Sequence, residues 1–185
     1  MFAGVNEKLE CARYFLDNLK SLAEDARGLH NIKMDKQQEM RANLDGFFFE
    51  IISAKDFFLQ GMNDRYGVGL PKDEATKIPQ LKRGLSDANA PKNASEVIKS
   101  IEKLLSDEDS WLWRLNNYRN SATHRELLHM GYVAGTTLSG VEAHLFKDPE
   151  DGKKGNMDTE VIPYCEQVLE KMTRFLKEQY SRLGI

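Results

Sequence analysis

The sequence predicts an all-α protein, an up-and-down helical bundle of about five to six helices with a small β-hairpin insert near residues 131 to 146. Apolar residues recur every three or four positions along most of the chain, as they do on one face of a helix. The hairpin segment departs from this period and is rich in glycine and β-branched residues. The 185 residues, 41% hydrophobic and 30% charged, suit one core. We therefore expect a single helical domain over residues 1–185.

Composition excludes several classes of protein. Two cysteines are too few for a disulfide scaffold, and no charge-free apolar run reaches the roughly 20 residues that span a bilayer. The N-terminus lacks a cationic region followed by an apolar stretch, which favours a cytoplasmic location without a membrane partner. The net charge of -3, from 26 Lys+Arg against 29 Asp+Glu, argues against a broad basic surface for nucleic acid. A small local site remains compatible with it.

The first two helices follow from apolar spacing. One is expected at about residues 5 to 30 and the other from Met40 to about Met62, the densest apolar segment of the chain. Charged residues on the second helix indicate burial over most of its circumference rather than a membrane span. Gly61 and the glycine- and proline-rich residues 64 to 71 are expected to end it. The expected central core residues are Phe47, Phe48, Ile51 and Leu169.

Capping signals mark the middle of the chain. Residues 73 to 87 are expected to form at most one short helix. Asn93 and Glu96 have capping-box spacing before an apolar helical face. Ser106 and Asp109 repeat this signal before a second, tryptophan-rich run.

The last third of the chain combines strands, a loop and a helix. Residues 131 to 146 favour two strands around a glycine turn, and the charged residues 147 to 156 are expected to form a mobile surface loop. Apolar spacing predicts a final helix over residues 161 to 183. Pro163 is tolerated in its first turn, and Gly184 ends it.

Metal and nucleotide-cofactor sites are not predicted. No histidine pair has the i,i+4 spacing of a helical metal site, and His124 and His129 are about 140° apart around a helix. Cys11 and Cys165 do not form a CxxC pair. The chain also lacks a glycine-rich phosphate loop followed by Lys-Ser or Lys-Thr. We expect no metal and no cofactor.

The helix after the second capping signal carries more polar residues than an amphipathic helix needs. Asn116, Asn120 and His124 fall at i, i+4 and i+8, which places them along one stripe. Arg119 shares the other side with apolar residues, where a guanidinium needs an acceptor. The alternative is a solvated helix face with one arginine that reaches past the apolar surface to water.

The run from Arg119 to His124, Arg-Asn-Ser-Ala-Thr-His, resembles the motif of Arg, polar residue, short spacer and His in HEPN domains. This all-helical superfamily contains many metal-independent ribonucleases and nucleotide-binding partners of toxin–antitoxin and defence systems. In that family the motif lies on or near the start of a late bundle helix, and two protomers bring two motifs into one cleft. The resemblance implies a homodimer, RNA or a nucleotide as ligand, and a partner protein of the defence or toxin–antitoxin type.

The chemistry of the motif is that of metal-independent RNA cleavage. His124 is expected to act as general base or acid and Arg119 as phosphate clamp, with Asn120 orienting them. The residues expected to bind substrate are Asn116, Arg114 and Arg125. Residues 111 to 131 hold three arginines against one glutamate, a local excess of positive charge in an acidic chain.

Two other interpretations compete with an endoribonuclease. The same polar stripe could serve a non-catalytic nucleotide-binding or protein-interaction module, or the function could lie elsewhere, for example in the loop at residues 147 to 156. Net acidity favours these two over long-RNA binding. Trp111, Trp113 and Tyr118 cannot all face inward on one helix, which predicts a dimer interface there.

Overall fold

The computed structural model describes residues 2, 4–25, 33–123, 130–134, 141–145 and 159–185. The described chain is predominantly helical, as the sequence predicted. Its helices are α1 Val5–Asp25, α2 Met34–Arg65, α3 Lys72–Ala75, α4 Ile78–Asp87, α5 Lys92–Ser106, α6 Trp111–Thr123 and α7 Val161–Leu183. Its strands are β1 Met130–Ala134, β2 Val141–Leu145 and β3 Thr159–Glu160. Among the described residues, no helix is long and apolar enough to cross a membrane.

Helices α1 and α2 pack antiparallel. Near the start of α1, Lys8 Nζ lies 2.9 Å from Glu50 Oε2 in the second half of α2. Near the end of α1, Asn18 Nδ2 donates to Asn43 Oδ1 at 3.1 Å in the first half of α2. The opposite order of these contacts along the two helices establishes their direction.

The final helix packs against both α1 and α5. Lys20 Nζ lies 2.7 Å from Glu166 Oε1, and Phe2 N, just before α1, donates to Tyr180 Oη at 3.0 Å. These contacts join the end of α1 to the start of α7 and the start of α1 to the end of α7. Helix α7 therefore runs antiparallel to α1. From α5, Ser100 Oγ donates to the Gln179 amide oxygen at 3.2 Å.

The core draws residues from all the longer helices, and its aromatic centre lies where α2, α6 and α7 meet. The four predicted core residues are confirmed: three are fully buried and Leu169 is 8% exposed. The ring of Phe48 stacks on Tyr118 of α6 at a centroid distance of 5.3 Å, and Tyr164 of α7 meets Tyr118 edge-on at 5.3 Å. This aromatic cluster holds one face of α6 against the rest of the protein.

Gly61 does not end the second helix as predicted. Helix α2 continues through it to Arg65, and a Cβ at Gly61 would lie 2.2 Å from the Phe2 ring. The glycine therefore allows close packing of the N-terminus. The helix ends where Gly67 adopts a left-handed φ of 63°, a conformation that glycine takes without strain.

Both capping predictions are wrong in position. Helix α5 begins at Lys92 after Pro91, so Asn93 lies inside its first turn, where its Nδ2 donates to the Arg182 carbonyl at 2.9 Å. The cap of α6 is Ser110, because its Oγ accepts a hydrogen bond from Trp113 N at 3.0 Å. The Asn93 side chain, which sequence spacing assigned to a helix cap, thus makes a tertiary contact instead.

Residues 73 to 87 contain parts of two helices rather than at most one. Helix α3 ends at Ala75, where Thr76 Oγ1 donates back to the Asp73 carbonyl at 2.9 Å. Lys77 is extended, and Pro79 then lies in the first turn of α4, where its missing N–H is tolerated.

The three strands form a sheet with the order β1-β2-β3. Strands β1 and β2 pair antiparallel from Met130 with Leu145 to Ala134 with Val141. The turn of the predicted hairpin falls on residues 135–140, outside the described residues, and the insert as a whole stays a prediction. The predicted loop at residues 147 to 156 and the predicted end of the first helix near residue 30 also lie outside them.

Candidate functional site around helix α6

Helix α6 is anchored by its apolar face. Leu112, Leu115 and Tyr118 are almost wholly buried, and the Trp111 ring meets Phe175 of α7 at 6.0 Å. This anchoring leaves the predicted polar residues of α6 half-buried around the rest of the helix. They are Arg114, Asn116, Arg119 and Asn120.

Arg119 and Asn120 form a direct pair. Arg119 Nη1 donates to Asn120 Oδ1 at 3.3 Å, which supplies an acceptor of the kind that the sequence required. The pair lies in the C-terminal half of α6. His124 and Arg125, the other two residues of the predicted cluster, lie outside the described residues.

Arg114 is directed away from this pair. It precedes Arg119 by five residues, which is about 140° around the helix. Burial raises the pKa of the Tyr164 phenol well above its usual value, nearby Tyr118 and Cys165 raise it further, and the Arg114 guanidinium opposes these effects. Arg114 therefore lies on the side of α6 that faces α7.

Asn116 lies one turn before Asn120 on the same stripe of the helix, and it lines a cavity of about 400 Å³. Lys55 of α2 and Glu102 of α5 line the same cavity. Lys55 is one of the charged residues of the second helix that were expected outside the core, whereas only 6% of the residue is exposed. Its position four residues after Ile51 and four before Leu59, both buried, was the signal that could have identified it.

Asn117 is a second buried polar residue that the sequence did not predict. Only 7% of it is exposed, and its buried Nδ2 has no hydrogen-bond partner within the described part of the chain. The Tyr164 hydroxyl is likewise buried and without such a partner there. No sequence pattern distinguishes Asn117 from Asn116, because which of two successive asparagines is buried depends on the neighbouring helices.

The aromatic residues of α6 divide between core and surface. Tyr118 is 1% exposed and Trp111 packs against the core, while Trp113 is half-buried. Of these three aromatic residues, Trp113 is the one left for the predicted dimer interface on α6. The homodimer stays a prediction.

Other reactive groups do not converge on α6. Burial raises the pKa of the Cys165 thiol, which keeps this residue protonated and unreactive. Within the described ranges, no three His, Cys, Asp or Glu side chains form a group that could hold a metal ion. His124 and His129 lie outside these ranges, so the expected absence of a metal stays a prediction.

Comparisons with protein-family models, curated proteins and solved structures find no significant match to this chain. The resemblance to HEPN domains therefore rests on the Arg119-to-His124 run and on the helical plan.

Proposed function

We propose that the protein is a HEPN-like up-and-down bundle, with a hairpin insert between α6 and α7, that cleaves RNA without a metal. The observation that supports this proposal is the Arg119–Asn120 hydrogen bond of 3.3 Å on a late helix, directly before the segment that leads to His124. This bond holds the Arg119 guanidinium beside the Asn120 amide, the two groups that the resemblance assigns to phosphate binding and orientation. A guanidinium has five N–H donors, and the bond to Asn120 engages one of them.

In the proposed reaction, His124 removes the proton from the ribose 2′-hydroxyl, whose oxygen attacks the adjacent phosphorus. The bond from phosphorus to the 5′-oxygen breaks, and that oxygen takes up a proton. Arg119 stabilises the negative charge that develops on the phosphoryl oxygens, and Asn120 fixes the guanidinium. The products are a 2′,3′-cyclic phosphate and a 5′-hydroxyl end.

The proposed assembly is a homodimer in which two motifs share a cleft, with a partner protein of the defence or toxin–antitoxin type. Asn116, Arg114 and Arg125 were the predicted substrate-binding residues. Because Arg114 lies on the side of α6 that faces α7 and Asn116 lines a cavity beside Lys55, we assign the phosphate contact to Arg119, with Arg125 as its candidate neighbour. The overall net charge of -3 fits a short RNA footprint rather than extended binding.

The test is incubation of the purified protein with mixed RNA in EDTA. We expect His124→Ala to lower the cleavage rate by about 10²- to 10⁴-fold, because it removes the proton transfer. Arg119→Ala is expected to abolish cleavage as well, and the exposed Arg83 provides the matched control, Arg83→Ala, with unchanged cleavage. Cleavage at the parent rate in both motif variants, or its loss in EDTA, would refute the proposal.

A second candidate is a non-catalytic module in which the same groups bind a nucleotide or join the subunits. It is favoured by the half-buried position of Arg119 and its bond to Asn120, which also suits a structural contact. Sedimentation of Arg119→Ala separates the two candidates. A catalytic arginine leaves the dimer intact while cleavage is lost, whereas a structural arginine dissociates the dimer. Intact dimers without cleavage in any variant would favour nucleotide binding.

A further inference from the structure

A cavity of about 400 Å³ lies where α2, α4, α5 and α6 meet. It contains an almost buried cation, because the side chain of Lys55 is 7% exposed. Burying an ammonium group is unfavourable unless it is paired and hydrogen-bonded. The ammonium group of Lys55 therefore depends on the polar groups that surround it in the cavity.

The ammonium group of Lys55 has one charged partner. Its Nζ lies 2.7 Å from Asp56 Oδ1, and this ammonium group makes no other ion pair or side-chain hydrogen bond within the residues that the structure describes. An ammonium group has three N–H donors. Two of them are consequently left for water or for a ligand in the cavity.

The other polar groups of the cavity are mostly engaged. The hydroxyls of Thr76 and Ser106 donate to backbone carbonyls at 2.9 and 3.1 Å, and Glu102 Oε2 pairs with Lys82 Nζ at 2.7 Å. The Asn116 amide makes no hydrogen bond to any described residue and supplies further donors. Lys55 and Asn116 together thus offer donors suited to one anionic oxygen group.

The charges, the apolar walls and the volume of the cavity indicate which kind of ligand it fits. Lys55 is the one cationic side chain among the described residues that line the cavity, and the carboxylate of Glu102 there is paired with Lys82, so a second negative charge on a ligand would have no further cation to meet. The remaining walls are apolar and come from Ile78, Pro79 and Leu105. The volume lies at the small end of the range for ligand pockets, about 300 to 1,000 Å³.

We propose that this cavity binds a small monocarboxylate with a short apolar body. The carboxylate accepts hydrogen bonds from Lys55 Nζ and Asn116 Nδ2, and the body contacts the apolar wall. The proposal does not depend on RNA cleavage, because it uses neither Arg119 nor His124.

The test is a nuclear magnetic resonance titration of the full chain with butyrate, following the Asn116 side-chain amide. We expect saturable shifts with a Kd of about 1 mM, as suits a ligand of few atoms. Butylamine is expected to cause none, and inorganic phosphate is expected to bind at least about tenfold more weakly than butyrate. Phosphate binding as tight as butyrate binding would overturn the monocarboxylate assignment.

Variants connect the binding to the cavity. Lys55→Met keeps the volume and removes the charge, and we expect it to weaken butyrate binding by at least about tenfold. Lys92→Met is the matched control, because the Lys92 side chain is 91% exposed, and it should bind as the parent does. Leu105→Phe fills the cavity while Lys55 stays in place, and it should also block butyrate binding. This second variant tests the proposal even if Lys55→Met does not fold. Parent-like binding in a folded Lys55→Met protein would overturn the proposal.

The same variants separate this proposal from the proposed function. RNA cleavage by Lys55→Met should stay at the parent rate, since Lys55 is not part of the proposed reaction. Butyrate binding without any RNA cleavage would leave the cavity proposal intact and refute the ribonuclease.

Discussion

Helices α2 and α6 each bury an asparagine, and the two residues differ in what surrounds them. Asn63 in the last turn of α2 is 5% exposed, and Asn117 in α6 is 7% exposed. The Asn63 side chain accepts from Leu70 N at 2.9 Å and donates to the Leu70 carbonyl at 3.2 Å and to Asp64 Oδ1 at 3.1 Å. The Asn117 Nδ2 has no partner in the described part of the protein.

The fold therefore explains the first asparagine but not the second. Asn63 closes the turn that follows α2, and its hydrogen bonds compensate for its burial. Buried polar groups in native proteins are nearly always satisfied, so an unsatisfied one needs another reason. Helix α2 contributes mainly to the core, whereas α6 keeps polar groups that packing alone does not require, as expected near a functional site.

The largest effect that we expect is on the apolar part of α2. Phe48→Ala should lower the free energy of unfolding by about 3 to 5 kcal/mol, the usual range for truncating a buried phenylalanine. Its neighbour Phe49, 46% exposed, provides the control, and Phe49→Ala should change that free energy by no more than about 0.5 kcal/mol. Chemical denaturation measures both. Equal losses would mean that α2 is not oriented as described.

The two asparagines test the comparison directly. Asn63→Leu should lower the free energy of unfolding by about 2 to 4 kcal/mol, because it removes three hydrogen bonds and leaves the Leu70 groups unpaired. Asn117→Leu should leave it unchanged or raise it by about 1 kcal/mol, since it removes an unsatisfied buried donor. Denaturant midpoints of the two variants decide between these expectations. A comparable loss in both would show that Asn117 is as structural as Asn63.

The smallest effect concerns the pH dependence of a carboxyl group on α2. Burial raises the pKa of Asp45 above its usual 3.8, and Arg41 on the preceding turn opposes the shift. A carboxyl group with a raised pKa in the folded state favours folding when it is protonated. This contribution is complete below pH 3.8 and is lost as the pH rises through the raised value.

Asp45→Asn should therefore be more stable than the parent protein at pH 7, and this advantage should disappear below about pH 4. Thermal unfolding at several pH values measures the difference. The exposed Asp87 gives the control variant Asp87→Asn, for which we expect a small difference from the parent protein at every pH. An advantage of Asp45→Asn that persists in acid would assign the effect to packing instead of charge.

Local periodicity was enough to locate the long helices and the core. The apolar spacing placed Phe47, Phe48 and Ile51 on one buried face, and Gly184 ends α7 with a left-handed φ of 71° as expected. These features depend on residues within one or two turns, which is the range that a sequence pattern reports. The polar composition of α6 and the proximity of Arg119 to Asn120 could be predicted from the sequence for the same reason.

Tertiary structure decided what depends on residues far apart in the chain. Whether Gly61 would end a helix depended on the Phe2 ring, and whether Asn93 would cap one depended on the Arg182 carbonyl. The cavity that joins Lys55 to Asn116 exists because four helices converge. Sequence by itself determined where the long helices lie and which of their faces are apolar, since both follow from short-range spacing. Packing determined which polar groups are buried, paired or left with donors to offer, because burial depends on every neighbouring element at once.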